Sequence, residues 1–236
     1  MKKWQRRALA AGLTLIALLG IGHAALRLQV HHPAARAWAA AETATLAGST
    51  LLFGAPTARL TVVVYPGAFV EPAAYADWAA SVAAAGYRVA IVRFPYDLAV
   101  LAGGQASTVL TQGQRYVIGG HSLGGVMASR YAAAHAATCA GVFFLASYPD
   151  AQGQLPATMP VLSLTASRDG VLNRPAYRKA QALLPETTET RQLAGGNHAG
   201  FGAYGHQRGD HPATVSVAAQ NRWVAAQLIG WLDGLQ

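Results

Sequence analysis

Gly120-His121-Ser122-Leu123-Gly124 places a serine between two glycines in the pattern G-x-S-x-G. The residues before it, Tyr116-Val117-Ile118-Gly119, are apolar and partly β-branched, and read as a buried strand. Those after it, from Val126 through Ala134, read as a helix. Strand, sharp turn and helix is the context in which this pattern lifts a serine hydroxyl above a sheet edge, with a helix N-terminus pointing at it. So sharp a turn strains the serine backbone, and the flanking glycines remove Cβ atoms that would clash. Ser122 is the candidate nucleophile.

On either side of this turn, strands alternate with helices. Residues 60–65, 87–93, 141–145, 160–165 and 188–193 read as strands, with a weaker one at 50–53. Residues 72–85, 97–110 (broken by Gly103-Gly104), 175–184 and 214–235 read as helices. The strands are continuous apolar runs, which predicts an α/β fold: a mostly parallel central sheet covered by helices on both faces. The inserts at 150–159 and 199–213 are short, so little cap is expected over the site.

The 236 residues are 53% hydrophobic and 12% charged, ample for a packed core and unlike a disordered chain. The net charge is +8, but Lys2, Lys3, Arg6 and Arg7 precede an apolar run at 8–22 interrupted only by Thr14. That is the charged and apolar signature of a leader. Two outcomes compete. Cleavage after Ala24, in the triplet Gly22-His23-Ala24, yields a secreted or periplasmic protein. Without cleavage the apolar stretch reaches Leu28, long enough to span a bilayer with Arg27 snorkelling and the remaining chain outside the cytoplasm. The triplet falls short of the usual Ala-x-Ala form, which favours the uncleaved signal anchor. Residues 1–30 are thus signal anchor or signal peptide, 31–45 an Ala-rich linker whose composition also suits a helix, and 46–236 the catalytic domain. The charge outside the leader forms no basic helix with interleaved aromatics, so nucleic acid is not an expected partner.

A serine hydroxyl needs a base, and the base needs an orienting carboxylate. On such a sheet the acid and then the histidine follow the serine in the chain. Asp169, in Ser167-Arg168-Asp169-Gly170 after the 160–165 strand, is the expected acid, with Asp150 as runner-up. His198, in Gly195-Gly196-Asn197-His198-Ala199-Gly200, is the expected base. The oxyanion requires two N–H donors: Leu123, next to the nucleophile, and Ala68 in Pro66-Gly67-Ala68-Phe69, with Gly67 or Phe69 as alternatives. Phe69, Tyr148, Phe201 and Tyr204 are candidates to line an apolar pocket. His206 and His211 read equally as site-lining or as exposed loop residues. The lone Cys139 reads as a small buried residue. The scattered histidines and single cysteine argue against a metal site, and no G-x-G-x-x-G follows the first strand, so no cofactor is expected.

Tyr65-Pro66-Gly67-Ala68, Glu71-Pro72-Ala73-Ala74-Tyr75, Gly119-Gly120-His121-Ser122-Leu123-Gly124-Gly125 and Leu145-Ala146-Ser147-Tyr148-Pro149 form one set of motifs. Ser167-Arg168-Asp169-Gly170, Gly195-Gly196-Asn197-His198-Ala199 and Tyr204-Gly205-His206-Gln207-Arg208-Gly209-Asp210 complete it. From Leu60 to Leu232 the chain resembles the α/β-hydrolase fold proteins of family 5, a subgroup related to dienelactone-hydrolase-like serine hydrolases. The elbow is shared by all α/β hydrolases. The Gly-Asn-His-Ala and Tyr-Gly-x-Gln-x-Gly-Asp stretches are narrower. The resemblance implies a triad of Ser122, Asp169 and His198, and often an N-terminal membrane segment. His211-Pro212 departs from it, since a small residue is expected there.

The expected function is hydrolysis of a carboxylic ester or related acyl bond in a small-molecule substrate, through an acyl-enzyme. Two alternatives stand beside it: acyl transfer by the same triad, and a non-catalytic, membrane-tethered binding protein of the same fold.

Overall fold

The computed structural model describes residues 2–235 and divides the chain into a leader unit ending at Val30 and a main unit starting at His31. The leader unit is one helix, α1 (Lys3–Arg27), with Leu13, Ile16, Leu19 and Ile21 exposed. Among the described residues no helix is long and apolar enough to cross a membrane. The side chains of Ala8, Leu9, Ala10 and Ala11, which begin the expected apolar run, lie outside the described residues. The membrane-spanning reading of the leader therefore gains no support from α1.

The main unit is built on eight strands: β1 (Thr45–Ala47), β2 (Thr50–Phe53), β3 (Thr61–Tyr65), β4 (Arg88–Ile91), β5 (Tyr116–His121), β6 (Cys139–Leu145), β7 (Val161–Ala166) and β8 (Glu189–Leu193). They lie in the order β1-β2-β4-β3-β5-β6-β7-β8. The β1–β2 and β2–β4 pairs are antiparallel, and every other pair is parallel. Strands β3, β5 and β7 are buried along their whole length, as their apolar runs require.

Helices α3 (Ala76–Ala84) and α6 (Val217–Asp233) cover one face of the sheet, and α4 (Leu123–Ala134) covers the other. On the first face Trp78, Val82, Leu228 and Trp231 pack on Val62, Val117, Phe143 and Leu162. On the second, Met127, Tyr131 and Ala132 pack on Val63, Ile118 and Phe144. Helix α5 (Arg174–Ala180) begins on an Asn173 cap, whose side chain accepts the Ala176 N–H.

Three features differ from the sequence reading. The expected linker at 31–45 belongs to the main unit: helix α2 (Ala35–Ala41) buries Ala37 and Ala41, whose methyl side chains permit close helix packing. The expected helix at 97–110 is a series of short 3₁₀ turns. The Tyr65 hydroxyl donates to the Gly103 carbonyl at 2.6 Å and accepts the Ala106 N–H at 3.0 Å. Those are backbone groups that a continuous helix would have paired within itself. Strand β8 is a sheet edge whose side chains are exposed or only partly buried, so it lacks the apolar character of the central strands.

Candidate active site

Ser122 sits between β5 and α4 with φ 52° and ψ −126°, in the left-handed region. Such strain persists only where neighbours hold it. Here the Ser122 N–H donates to the Leu145 carbonyl at 3.1 Å, and the Ser147 hydroxyl donates to the Ser122 carbonyl at 2.6 Å. A Cβ on Gly124 would collide with the Tyr65 and Pro66 carbonyls, so glycine there lets α4 approach the end of β3. The Leu123 N–H opens the first turn of α4 beside the serine.

Asp169 lies in the turn after β7 and His198 in the loop after β8; both are buried. Asp169 Oδ2 is 2.8 Å from His198 Nδ1. Asp169 Oδ1 accepts the N–H groups of Val171 and Leu172, each at 2.8 Å. Burial pushes the Asp169 carboxyl up. His198, through hydrogen bond and charge, and the Leu172 and Val171 N–H groups together outweigh that, leaving it below the ordinary aspartate value. A carboxylate beside Nδ1 places the imidazole proton there and the ring lone pair on Nε2. That Nε2 is buried and has no hydrogen-bond partner, the Ser122 hydroxyl included. Ser122 and His198 line the same cavity.

The base loop is tied down by groups remote in sequence. Gln220 of α6 accepts the Asn197 N–H at 3.1 Å and donates to the Asn197 carbonyl at 2.8 Å. Asp210 accepts four N–H groups: Gly170 at 3.1 Å, His198 at 3.2 Å and His211 at 3.0 Å on Oδ1, and Ala199 at 2.9 Å on Oδ2. One carboxylate therefore joins the turn carrying Asp169 to the loop carrying His198.

Asp150, the runner-up acid, is engaged elsewhere. It accepts Arg130 Nε at 3.0 and 3.1 Å and pairs with Nη2, and it caps the Gly153 N–H at 3.1 Å. The Arg130 hydrogen bond holds its carboxyl below the ordinary value.

In the loop after β3, the Gly67 N–H donates to the Tyr75 hydroxyl at 2.9 Å and the Phe69 N–H to the Asp97 carbonyl at 2.8 Å. Of the three candidate donors, only the Ala68 N–H is left without a partner among the described residues. Phe69 itself has φ 58°.

The cavity at Ser122 has a volume of about 240 Å³ and an apolar wall of Leu123, Val126, Ala146, Tyr148, Val171 and Leu172. Of the aromatic residues the sequence offers as pocket lining, Tyr148 borders this cavity. Phe69 is not part of this wall. Phe201 is fully buried with its ring 5.9 Å from that of His121, a packing residue and not a lining one, because its short turn points into the α3–α6 face. Tyr204 is also buried and donates to Gln207 Oε1 at 2.8 Å. His206 and His211 are exposed and lie outside the cavity. Burial pushes the Cys139 thiol up to about 11, so it is no ready nucleophile. Among the described residues no three His, Cys, Asp or Glu side chains are grouped to hold a metal ion. A larger depression of about 520 Å³, lined by Trp38, Leu46, Glu71 and Arg93, holds none of the candidate residues; convergent chemistry, not size, marks the site.

Residues 61–222 match the alpha/beta hydrolase family. The chain belongs to that family. Among solved structures, this alpha/beta hydrolase is similar to the carboxylesterase CesB from Bacillus subtilis (TM-score 0.58, 10% identity, 84% of this chain and 96% of that one). It is similar also to a ferulic acid esterase from Streptomyces cinnamoneus (TM-score 0.57, 22% identity, 76% and 68%). A monoacylglycerol lipase from Paleococcus ferrophilus gives a TM-score of 0.56 at 14% identity, covering 77% and 98%. At these identities the likeness is one of fold. No curated protein matches the chain.

Several residues that shape this hydrolase site escaped the sequence reading. Gln220 is a fully buried polar residue within the C-terminal helix, beside the equally buried Asn221, and this polar pair among apolar helix residues was its only signal. Asp210 closes the Tyr-Gly-x-Gln-x-Gly-Asp stretch, where the sequence leaves its role open; one of its four partners is the adjacent His211, and the other three, Gly170, His198 and Ala199, come from other loops. Nothing local marks Arg130 as the partner of Asp150.

Proposed function

We propose that this alpha/beta hydrolase cleaves a carboxylic ester through an acyl-enzyme on Ser122. The observation that carries the reading is the buried Asp169–His198 pair at 2.8 Å, whose bare Nε2 shares a cavity with Ser122. His198 Nε2 takes the Ser122 proton as Oγ attacks the acyl carbon. The Leu123 and Ala68 N–H groups stabilise the oxyanion. His198 then gives the proton to the leaving alkoxide, and Asp169 stabilises the imidazolium that exists between those steps. Water, activated by the same histidine, releases the acid. The narrower kinship with dienelactone-hydrolase-like enzymes rests on the Gly-Asn-His-Ala and Tyr-Gly-x-Gln-x-Gly-Asp stretches.

A fluorophosphonate probe tests the reading. The full chain is expected to gain one phosphonyl group on Ser122, seen by intact mass and peptide mapping. A folded protein that stays unlabelled and turns over no p-nitrophenyl ester favours the binding-protein alternative.

The cavity is smaller than the ~300 Å³ lower bound of drug-sized sites. A short acyl group fits its apolar wall. Each methylene that enters is worth about 0.8 kcal/mol, roughly fourfold in kcat/KM. Across p-nitrophenyl esters, kcat/KM is expected to rise from acetate to butyrate or hexanoate and to fall for palmitate. A continued rise to palmitate rules out this acyl pocket.

We further infer that the leader exports the hydrolase and, uncleaved, anchors it. The support is the basic cluster Lys2, Lys3, Arg6 and Arg7 ahead of the apolar run. Intact mass of protein from native membranes is expected to include residues 1–24. A mature chain starting at Ala25 in the soluble fraction refutes the anchor.

A further inference from the structure

Tyr75 ends the short 3₁₀ turn Pro72–Tyr75 and is fully buried. Its hydroxyl accepts the Gly67 N–H at 2.9 Å and stands 3.0 Å from His121 Nδ1. Burial pushes the phenol up, so it keeps its proton. A phenol has one proton to give, and His121 Nδ1 is the acceptor beside it. That direction makes His121 the neutral tautomer protonated on Nε2, a buried atom with no hydrogen-bond partner among the described residues. Its ring lies 4.4 Å, centre to centre, from that of His198. Burial, with the nearby His198, holds His121 well below the ordinary histidine value.

The same hydroxyl reaches the loop that offers Ala68. Gly67 is packed so tightly there that a Cβ on it would stand 2.9 Å from His121 Nδ1 and 3.3 Å from the Tyr75 oxygen. On the far side of Ala68, Phe69 is held by the Asp97 carbonyl on its N–H, and its carbonyl accepts the His31 N–H at 2.6 Å. The Ala68 peptide is thus held on both sides, and its own Gly67 carbonyl accepts the Val70 N–H at 3.1 Å; Tyr75 supplies the hold on the Gly67 N–H side.

We propose that Tyr75 is a positioning residue for hydrolysis: its hydroxyl, held between the Gly67 N–H and His121 Nδ1, aims the Ala68 N–H at the oxyanion and keeps an uncharged ring beside His198. The inference rests on the ester-cleaving role of Ser122. Its physical basis is twofold. An oxyanion donor acts only if it is fixed before charge develops. A second cation beside His198 would oppose the imidazolium formed when Ser122 gives up its proton.

The test is Tyr75→Phe in the full chain, which removes one oxygen and keeps the ring. With a short-chain p-nitrophenyl ester, kcat is expected to fall roughly 10- to 100-fold with KM within about twofold. Affinity for an alkyl boronic acid, which forms a tetrahedral adduct on the serine, falls in parallel. Amide exchange at Gly67 speeds up at least about tenfold. A kcat within twofold of wild type, or a change confined to KM or to thermal stability, overturns the proposal. If Tyr75→Phe does not fold, nitrogen-15 shifts of His121 in the wild-type protein decide: protonation on Nε2 at neutral pH is expected, and protonation on Nδ1 overturns it. An inactive, unlabelled wild-type protein defeats the ester-cleaving reading itself, whereas an active wild type with an equally active Tyr75→Phe defeats only the role of Tyr75.

Discussion

Ser122→Ala is expected to lower kcat by about 10⁶-fold and to abolish fluorophosphonate labelling, with folding unchanged. In the proposed mechanism this hydroxyl carries the acyl group, and among the described residues nearby no other nucleophile is placed to replace it. Cys139 is buried and its thiol is pushed up to about 11. The Ser147 hydroxyl is committed to the Ser122 carbonyl. Alanine retains the methylene and leaves the Leu145 hydrogen bond to the backbone of position 122 in place, so the fold does not depend on the lost oxygen. Steady-state kinetics on a short p-nitrophenyl ester checks it. Turnover near the wild-type rate in a pure Ser122→Ala sample removes Ser122 as the nucleophile.

Asp169→Asn is expected to cost about 10⁴-fold in kcat while changing the shape of the site very little. The reason lies in which oxygen does what. Oδ1 accepts the Val171 and Leu172 N–H groups, and Oδ2 faces His198 Nδ1. In asparagine the carbonyl oxygen must take the Oδ1 place, because an amide NH₂ cannot face two N–H donors. The NH₂ then points at Nδ1, which has to become an acceptor. The imidazole proton moves to Nε2, and the lone pair meant for the Ser122 proton is lost. Asp150 cannot take over, since Arg130 and the Gly153 N–H hold it in its own turn. Kinetics together with near-ultraviolet circular dichroism checks this. A folded Asp169→Asn that keeps kcat within tenfold of wild type shows that another group orients the histidine.

Much of the sheet was readable from the chain because its strands are local signals. The runs at Thr61–Tyr65, Tyr116–His121 and Val161–Ala166 are buried on both faces and therefore uninterrupted in hydrophobicity. The elbow was readable for a related reason: the tight turn at Ser122 brings backbone so close that glycine is required two positions to either side, at Gly120 and Gly124. The 97–110 segment misled because its helical pattern is local, whereas the Tyr65 hydroxyl that claims Gly103 and Ala106 comes from another strand. Phe201 misled in the same way. Its place after the base histidine suggested a wall of the site, but the turn carries it into the core beneath His121.

The sequence by itself determined the alternation that makes a parallel sheet, the strained turn at Ser122, and the chain order of Asp169 and His198 as candidate partners, since each depends on residues within a few positions of one another. Only the tertiary structure separated Asp169 from Asp150, left Ala68 and not Gly67 or Phe69 with a free N–H, and brought Tyr75, Asp210 and Gln220 to the site. Each of these was decided by a hydrogen bond from a side chain to a group far away in the chain: Tyr75 to His121 across 46 positions, Asp210 to Gly170 across 40, Gln220 to Asn197 across 23. A buried donor or acceptor must find a partner, and which one it finds is set by the path of the folded backbone, not by its neighbours in sequence.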